Sequence, residues 1–366
     1  MSHSATTNRL ASDLDHILAR TEVLWEELRG GRILITGATG FFGCWLLESF
    51  AWANRRLNLK ACAVAVSRCP QALAEKAPHL ARDPAIVTHA ADVCCDVFPQ
   101  GPFSHVIHAA TEASAALNHK SPLVMFDTIV KGTRRTLQFS AENSVGNFLF
   151  ISSGAVYGMQ PPQLWQVGES FAGGPDPLDP ANAYAEGKRS AELLCSLAAS
   201  SNLEVKIARC FAFVGPYMPI DTHFAIGNFI SDAMHGGPIT VKGDGSPIRS
   251  YLYASDLAVW LWTILFRGES RRAYNVGSEA GLNIAALAYE IAAALPGDVD
   301  VNILSTAVPG APVHRYVPST ARAREELGLS AEVSLREAIH RTHIWFTGNA
   351  GSERGTPDSV ARGAHA

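Results

Sequence analysis

No uninterrupted apolar stretch in this 366-residue chain approaches the ~20 residues needed to cross a bilayer, and the N-terminus lacks a basic-then-apolar leader. The expected setting is therefore cytoplasmic, with no membrane partner. Basic runs are missing as well: 30 Lys and Arg against 34 Asp and Glu leave a formal net charge of −4, which argues against nucleic acid as a partner. The seven cysteines, at positions 44, 62, 69, 94, 95, 195 and 210, are odd in number and hold no paired CxxC spacing. Neither a disulfide framework nor a zinc site is expected, and no metal is assigned. What remains is an apolar-rich chain, 47% hydrophobic and 17% charged, long enough to bury one large α/β domain or two unequal ones. Small molecules are its expected partners.

The apolar run Arg32-Ile33-Leu34-Ile35-Thr36 stops at Gly37, Gly40 and Gly43, three glycines spaced three apart, and gives way to the helical stretch Cys44-Trp45-Leu46-Leu47. This reads as strand, tight turn, helix. The turn leaves backbone N–H groups unpaired at a helix N-terminus, where the helix dipole favours an anion, and the missing side chains let a pyrophosphate approach the main chain. A dinucleotide fits there, with Gly37, Gly40, Phe41, Phe42 and Gly43 as contacts. A lone glycine pattern would be equally compatible with an empty turn, but the flanking strand and helix favour a nucleotide site.

Around this turn the pattern alternates. Leu14, Ile17, Leu18, Val23, Leu24 and Leu28 recur at helical spacing, so residues 1–30 read as a helical extension, a packing element or subunit contact. A second strand, Leu59 to Val66, ends at Ser67-Arg68 where an acid for the ribose 2′-OH is often found. A basic residue there leans toward a 2′-phosphate, hence toward NADP over NAD. A third strand from Ile86 ends at Asp92-Val93, placed to bind adenine, and a fourth, Val106 to Ala110, offers Ala109 and Ala110 for the cofactor to lie against. His108 inside that strand is read as a satisfied core residue before a ligand or acid. A helix from Pro122 to Ala141 and a strand Phe148–Ile151 follow, so the fold class is α/β, a Rossmann-type doubly wound parallel sheet. At the end of that strand, Ser153 either contacts a reacting group or caps a turn.

Of the eight tyrosines only Tyr184 has a lysine four residues on, Lys188, in a stretch of helical periodicity. Positions i and i+4 share one helix face. An ammonium beside a phenol favours the phenolate, which would make Tyr184 a usable base.

With Gly37-x-x-Gly40-x-x-Gly43, Ser-Ser-x-x-Val-Tyr-Gly at 152–158 and Tyr184-x-x-x-Lys188 in order, the chain resembles the extended short-chain dehydrogenase/reductases of the nucleotide-sugar epimerase/dehydratase family. Val214-Gly215-Pro216, Gly227-Asn228-Phe229-Ile230, Gly243-Asp244-Gly245, Arg249 to Ala258, Tyr274-Asn275-Val276-Gly277 and Glu325-Glu326-Leu327-Gly328 extend the likeness over about residues 31–346. The resemblance implies an NAD(P)-binding domain mainly over 31–210, with Tyr184 and Lys188 also touching the cofactor. A smaller α/β part mainly over 211–346, interleaved with it, would fold over a nucleotide diphosphate sugar. It implies Ser153, Tyr184 and Lys188 as catalytic residues, Ser153, Asn228 and Arg249 as substrate contacts, and a homodimer.

The pattern also departs from that family. Ala212 stands where many relatives carry a substrate-contacting asparagine, and Gly154 and Ala155 stand where 4,6-dehydratases carry an Asp-Glu pair and related decarboxylases keep the Glu. Epimerase or 4-ketoreductase chemistry is therefore expected first, and a dehydratase or decarboxylase with a non-standard acid such as Glu112 second. A cofactor-binding sensor or scaffold without turnover is the alternative of another class. Residues 347–366 read as a disordered tail.

Overall fold

The computed structural model describes residues 8–111, 115–220, 224–308 and 310–350. Its centre is a seven-stranded sheet made of β1 (Arg32–Thr36), β2 (Cys62–Ser67), β3 (Ile86–Ala90), β4 (His105–His108), β5 (Asn147–Ser153), β6 (Glu204–Cys210) and β7 (Ala273–Val276). The spatial order is β7-β6-β5-β4-β1-β2-β3, and every pairing is parallel. These strands are short apolar runs because a parallel sheet covered on both faces has no solvent side. Strand order reverses between β1 and β4, which opens a crevice at the carboxyl ends of the strands, the place where such sheets bind ligands.

One face is covered by α1 (Ala11–Thr21), α2 (Phe41–Arg56) and α6 (Ala254–Arg267); the other by α3 (Pro122–Glu142) and α4 (Ala183–Ala198). The N-terminal extension is part of the first of these layers. Its Leu14, Ile17, Trp25 and Leu28 are buried, Trp25 packs on Trp262 with ring centroids 4.5 Å apart, and the Trp262 indole N–H donates to Ser49 Oγ at 2.8 Å. The single helix expected up to Leu28 is instead an α-helix to Thr21 followed by a 3-10 turn over Glu22–Leu28, which rotates Trp25 into that core. A smaller core around Val214, Ile226, Phe229, Ile230, Leu287, Ile291 and Ile339 joins α5 (Ala225–Met234), α7 (Ile284–Ala294) and α8 (Leu335–Ala350). Beside it, Ile248–Arg249 pairs with both Leu282–Asn283 and Arg315–Tyr316. Helix α8 runs to Ala350, into the stretch expected as tail; residues 351–366 lie outside the described residues.

His105 and His108 are buried on β4, as expected for His108, but each leaves its Nε2 without a hydrogen-bond partner among the described residues, so His108 is only half satisfied. The Thr36 hydroxyl accepts the Ala110 N–H at 3.1 Å and shares a hydrogen bond of 2.8 Å with His108 Nδ1. Burial pushes the His108 imidazole down to about 3 and that of His105 to about 4. Both are neutral in the fold, whereas in the unfolded chain they protonate below about 6.5. The unfolded state then binds more protons, so stability falls as pH drops from about 6.5 toward those values, by up to about 1.4 kcal/mol per pH unit for each group. In urea titrations the stability advantage of the wild type over His108→Gln should shrink between about pH 7 and about pH 5; a constant difference would contradict the assignment.

Candidate active site

The β1–α2 turn needs its glycines for close approach. Gly37 has φ +69°, and a β-carbon there would lie 2.6 Å from the Ala109 carbonyl oxygen. A β-carbon at Gly43 would lie 2.5 Å from the backbone of Ala38. Gly40 is the extended residue before α2, and no side chain caps that helix end. The first amides of the helix, on Phe41, Phe42 and Gly43, have no partner within the helix itself, which suits a pyrophosphate. The turn therefore fits the dinucleotide expected there.

The other residues assigned to the cofactor line the same edge. Ser67 ends β2, its Oγ 3.0 Å from Thr39 Oγ1, and the exposed Arg68 follows it. Lys76, which sequence reasoning missed, donates to the Thr39 carbonyl at 2.9 Å and adds a cation beside the turn. The strand before Asp92 stops at Ala90, earlier than expected. Asp92 instead closes a turn, accepting from Cys94 N–H at 2.8 Å, and Val93 is buried against Gly132.

Ser153, Tyr184 and Lys188 are brought together at the carboxyl end of β5. Ser153 Oγ does cap a turn, accepting from Ala155 N–H at 3.2 Å, and Ser153 is also the neighbour that draws the Tyr184 phenol down against its burial. Lys188 is 3% exposed; its ammonium donates to Thr111 Oγ1 at 2.9 Å and to the Ile151 carbonyl at 2.8 Å, and burial lowers it to about 8. This departs from the expected Lys–Tyr effect. The ammonium stands 5.9 Å from the Tyr184 ring with two donors committed elsewhere, so burial dominates and raises the phenol, while the Ser153 hydrogen bond opposes that rise. Asn118 Oδ1 accepts the Tyr184 N–H at 3.0 Å and fixes the start of α4. Deeper in, Arg209 clamps Glu192 of α4 with contacts of 2.6 and 3.0 Å, and Ser152 donates to the same carboxylate at 2.5 Å, so α4 is held to β5 and β6.

Tyr316 joins this group without having been singled out in the sequence. Its Oη is 3.5 Å from Ser153 Oγ, and its ring lies 4.6 Å from that of Phe211. The Arg249 guanidinium is 5.9 Å from the Tyr316 ring centroid, which links this substrate candidate to Ser153. A tyrosine in the two-residue strand Arg315–Tyr316 carries no periodic or motif signal by which it could have been found. Asn228, the other candidate, stands half-buried on the first turn of α5. Glu112 lies outside the described residues. Gly154 has no room for a side chain: a β-carbon would lie 2.7 Å from the Phe211 ring and 2.8 Å from Tyr316 Oη. Among the described residues no group of three His, Cys, Asp or Glu could hold a metal, and no helix is long and apolar enough to cross a membrane.

Comparison with known proteins agrees with this geometry. UDP-glucuronic acid decarboxylase 2 of Arabidopsis thaliana is 29% identical over 314 residues, 85% of this chain and 67% of the relative. The dTDP-glucose 4,6-dehydratase of Streptomyces griseus is 29% identical over 248 residues, 66% of this chain and 71% of the relative. The fold is shared with a UDP-glucose 4-epimerase from Thermotoga maritima solved with UDP-glucose (TM-score 0.74, 21% identity, 87% of this chain and 99% of that one). It is also shared with a dTDP-glucose 4,6-dehydratase from Streptomyces venezuelae solved with NAD (0.72, 22%, 88% and 99%). The profile of the NAD dependent epimerase/dehydratase family matches residues 33–277, and with the glycine turn and the Ser-Tyr-Lys cluster in place the chain belongs to that family of NAD(P)-dependent oxidoreductases.

Proposed function

We propose that the protein transfers hydride at C4 of a nucleotide diphosphate sugar, as an epimerase or a 4-ketoreductase, with Ser153, Tyr184 and Lys188 as its catalytic residues. The observation that carries this reading is the meeting of those three side chains at the crevice, beside a position where Phe211 and Tyr316 leave no space for a carboxylate. NAD(P), when bound, supplies the hydride acceptor or donor. Tyr184 takes the proton of the sugar 4-hydroxyl on oxidation and returns one to the C4 carbonyl oxygen on reduction, and a positive charge on a bound oxidised cofactor would offset the rise that burial imposes on its phenol. Ser153 donates a hydrogen bond to the reacting oxygen. Lys188, with two of its three donors on Thr111 and Ile151, offers the third to the cofactor ribose. Gly37, Gly40, Phe41, Phe42 and Gly43 receive the pyrophosphate, Ala109 and Ala110 the flat face of the cofactor, and Asp92 and Val93 the adenine. Asn228 and Arg249 hold the substrate diphosphate.

Several finer assignments follow the same reading. Arg68 at the end of β2, with Lys76 beside the turn, supports a lean to NADP. Leu193 and Leu197, 60% and 73% exposed one turn apart on α4, with Leu123 71% exposed on α3, support a homodimer formed through these two helices. Seven free cysteines and a near-neutral surface support a reduced, cytoplasmic setting without nucleic acid. One observation favours a second reading: decarboxylases stand prominently among the sequence relatives. A 4-keto-6-carboxylate loses CO2 as a β-keto acid without an acid to expel a leaving group, so a decarboxylase needs less of Gly154 and Ala155 than a dehydratase does.

Tyr184→Phe should keep the fold and cofactor binding and lose on the order of 10²-fold or more in turnover; near-normal rates would remove Tyr184 from the mechanism. Arg68→Ala should weaken NADP more than NAD by titration calorimetry, and equal losses would show that Arg68 is not the selector. Offered UDP-, TDP-, CDP- and GDP-hexoses, the enzyme should change C4 without losing water, read by mass and NMR. Two missing acid/base groups of about 10²–10⁴-fold each leave elimination very slow. Efficient formation of a 4-keto-6-deoxy product would overturn that expectation, and loss of CO2 from a nucleotide hexuronate would favour the second reading.

A further inference from the structure

A serine hydroxyl has one proton and two acceptor positions. At Ser153 one acceptor position takes the Ala155 N–H at 3.2 Å, and Tyr316 Oη lies 3.5 Å from the same oxygen, a contact in which either hydroxyl can donate. Tyr316 is held at that spot. Its ring packs on Phe211, its strand pairs with Ile248–Arg249, and its Oη stands where a side chain at position 154 would begin. Its hydroxyl also reaches the Cys210 carbonyl at 3.5 Å, so among the described residues its proton has two acceptors, Ser153 Oγ and that carbonyl. Hydrogen bonds of catalytic groups are often long before ligands bind and tighten in the complex.

We propose that Tyr316 is a positioning residue: by donating to Ser153 it fills the second acceptor position and leaves the serine proton directed at Tyr184 and at the reacting oxygen. The inference deepens the reading of Tyr184 as the base and rests on it. Glycine at 154 is then part of the device, because any side chain there would displace the tyrosine hydroxyl. The charged and titratable groups facing this cluster are Lys188 from α4, Cys210 from β6 and Arg249 from the strand beside Tyr316. Burial keeps both Tyr316 and Cys210 protonated at neutral pH, so Tyr316 remains a donor. Ser153 is the neighbour that favours the Tyr184 phenolate, so the direction of its proton sets how readily that phenol ionises.

The test is the titration of Tyr184 in full-length protein saturated with NAD+, carrying 13C at the tyrosine ζ carbon, with Tyr184→Phe used to assign the signal. Tyr316→Phe keeps the ring against Phe211 and removes only the hydroxyl. It should raise the ionisation midpoint of Tyr184 by about one pH unit. In the Ser153→Ala background the same substitution should have no effect, since the influence runs through the serine. Coincident curves for wild type and Tyr316→Phe, an equal shift in the Ser153→Ala background, or no ionisation in either protein up to about pH 11 would each overturn the proposal. The titration requires no sugar. Failure to turn over any nucleotide sugar would count against the proposed reaction while leaving this result to stand or fall alone.

Discussion

The site depends on the close approach of the glycine turn to the chain leaving β4. Gly37 comes so near Ala109 that a β-carbon would meet its carbonyl at 2.6 Å, and the next amide, Ala110 N–H, is held by Thr36 at 3.1 Å. One residue further, Thr111 accepts the Lys188 ammonium at 2.9 Å. Three consecutive residues thus tie the glycine turn to α4, which carries Tyr184 and Lys188. A side chain at position 37 would push β1 from β4 at the crevice where the strand order reverses, and through Thr111 it would move Lys188. The geometry of the chemistry is set by backbone packing before any ligand arrives.

What could be read from the sequence was what carries a period or a motif. The glycine spacing, the parallel-sheet runs and Tyr184-x-x-x-Lys188 each encode local structure, because each imposes a turn, a strand or one helix face. The burial of His108 was legible from the apolar run around it, whereas its half-satisfied ring, with Nδ1 bonded and Nε2 without a partner among the described residues, was not. The Lys–Tyr electrostatics were not. Spacing on a helix says that two side chains share a face, but not that Thr111 and Ile151 take the ammonium first. Tyr316 was illegible because its importance comes from contacts with Ser153 and Gly154, more than 150 residues away in sequence.

Long-range contacts also join the two parts of the molecule. Glu48, buried on α2, accepts from Tyr217 Oη at 2.5 Å and from His79 at 2.7 Å. Tyr217 lies in the segment that enters the smaller core, at φ +69°, and its ring packs 4.9 Å from Trp345 of α8. A carboxylate this deep needs such partners, since an unpaired buried charge costs several kcal/mol, on the order of 3–5 when one partner is removed. The helix that begins at the cofactor turn is therefore anchored to the elements that carry the substrate candidates. In the sequence Glu48 is the one acid in the apolar run 44–53, with Cys44, Trp45, Ala51 and Trp52 on its own helix face, but its partners Tyr217 and His79 carry no local signal.

The most direct test of hydride transfer at C4 is a single-turnover experiment with protein saturated with oxidised cofactor and a nucleotide hexose deuterated at C4. The expected result is a transient rise in the near-ultraviolet absorbance of the reduced nicotinamide that is slower with deuterium than with hydrogen at that carbon. No reduction with any of the nucleotide hexoses, or a rise indifferent to deuterium at C4, would contradict it.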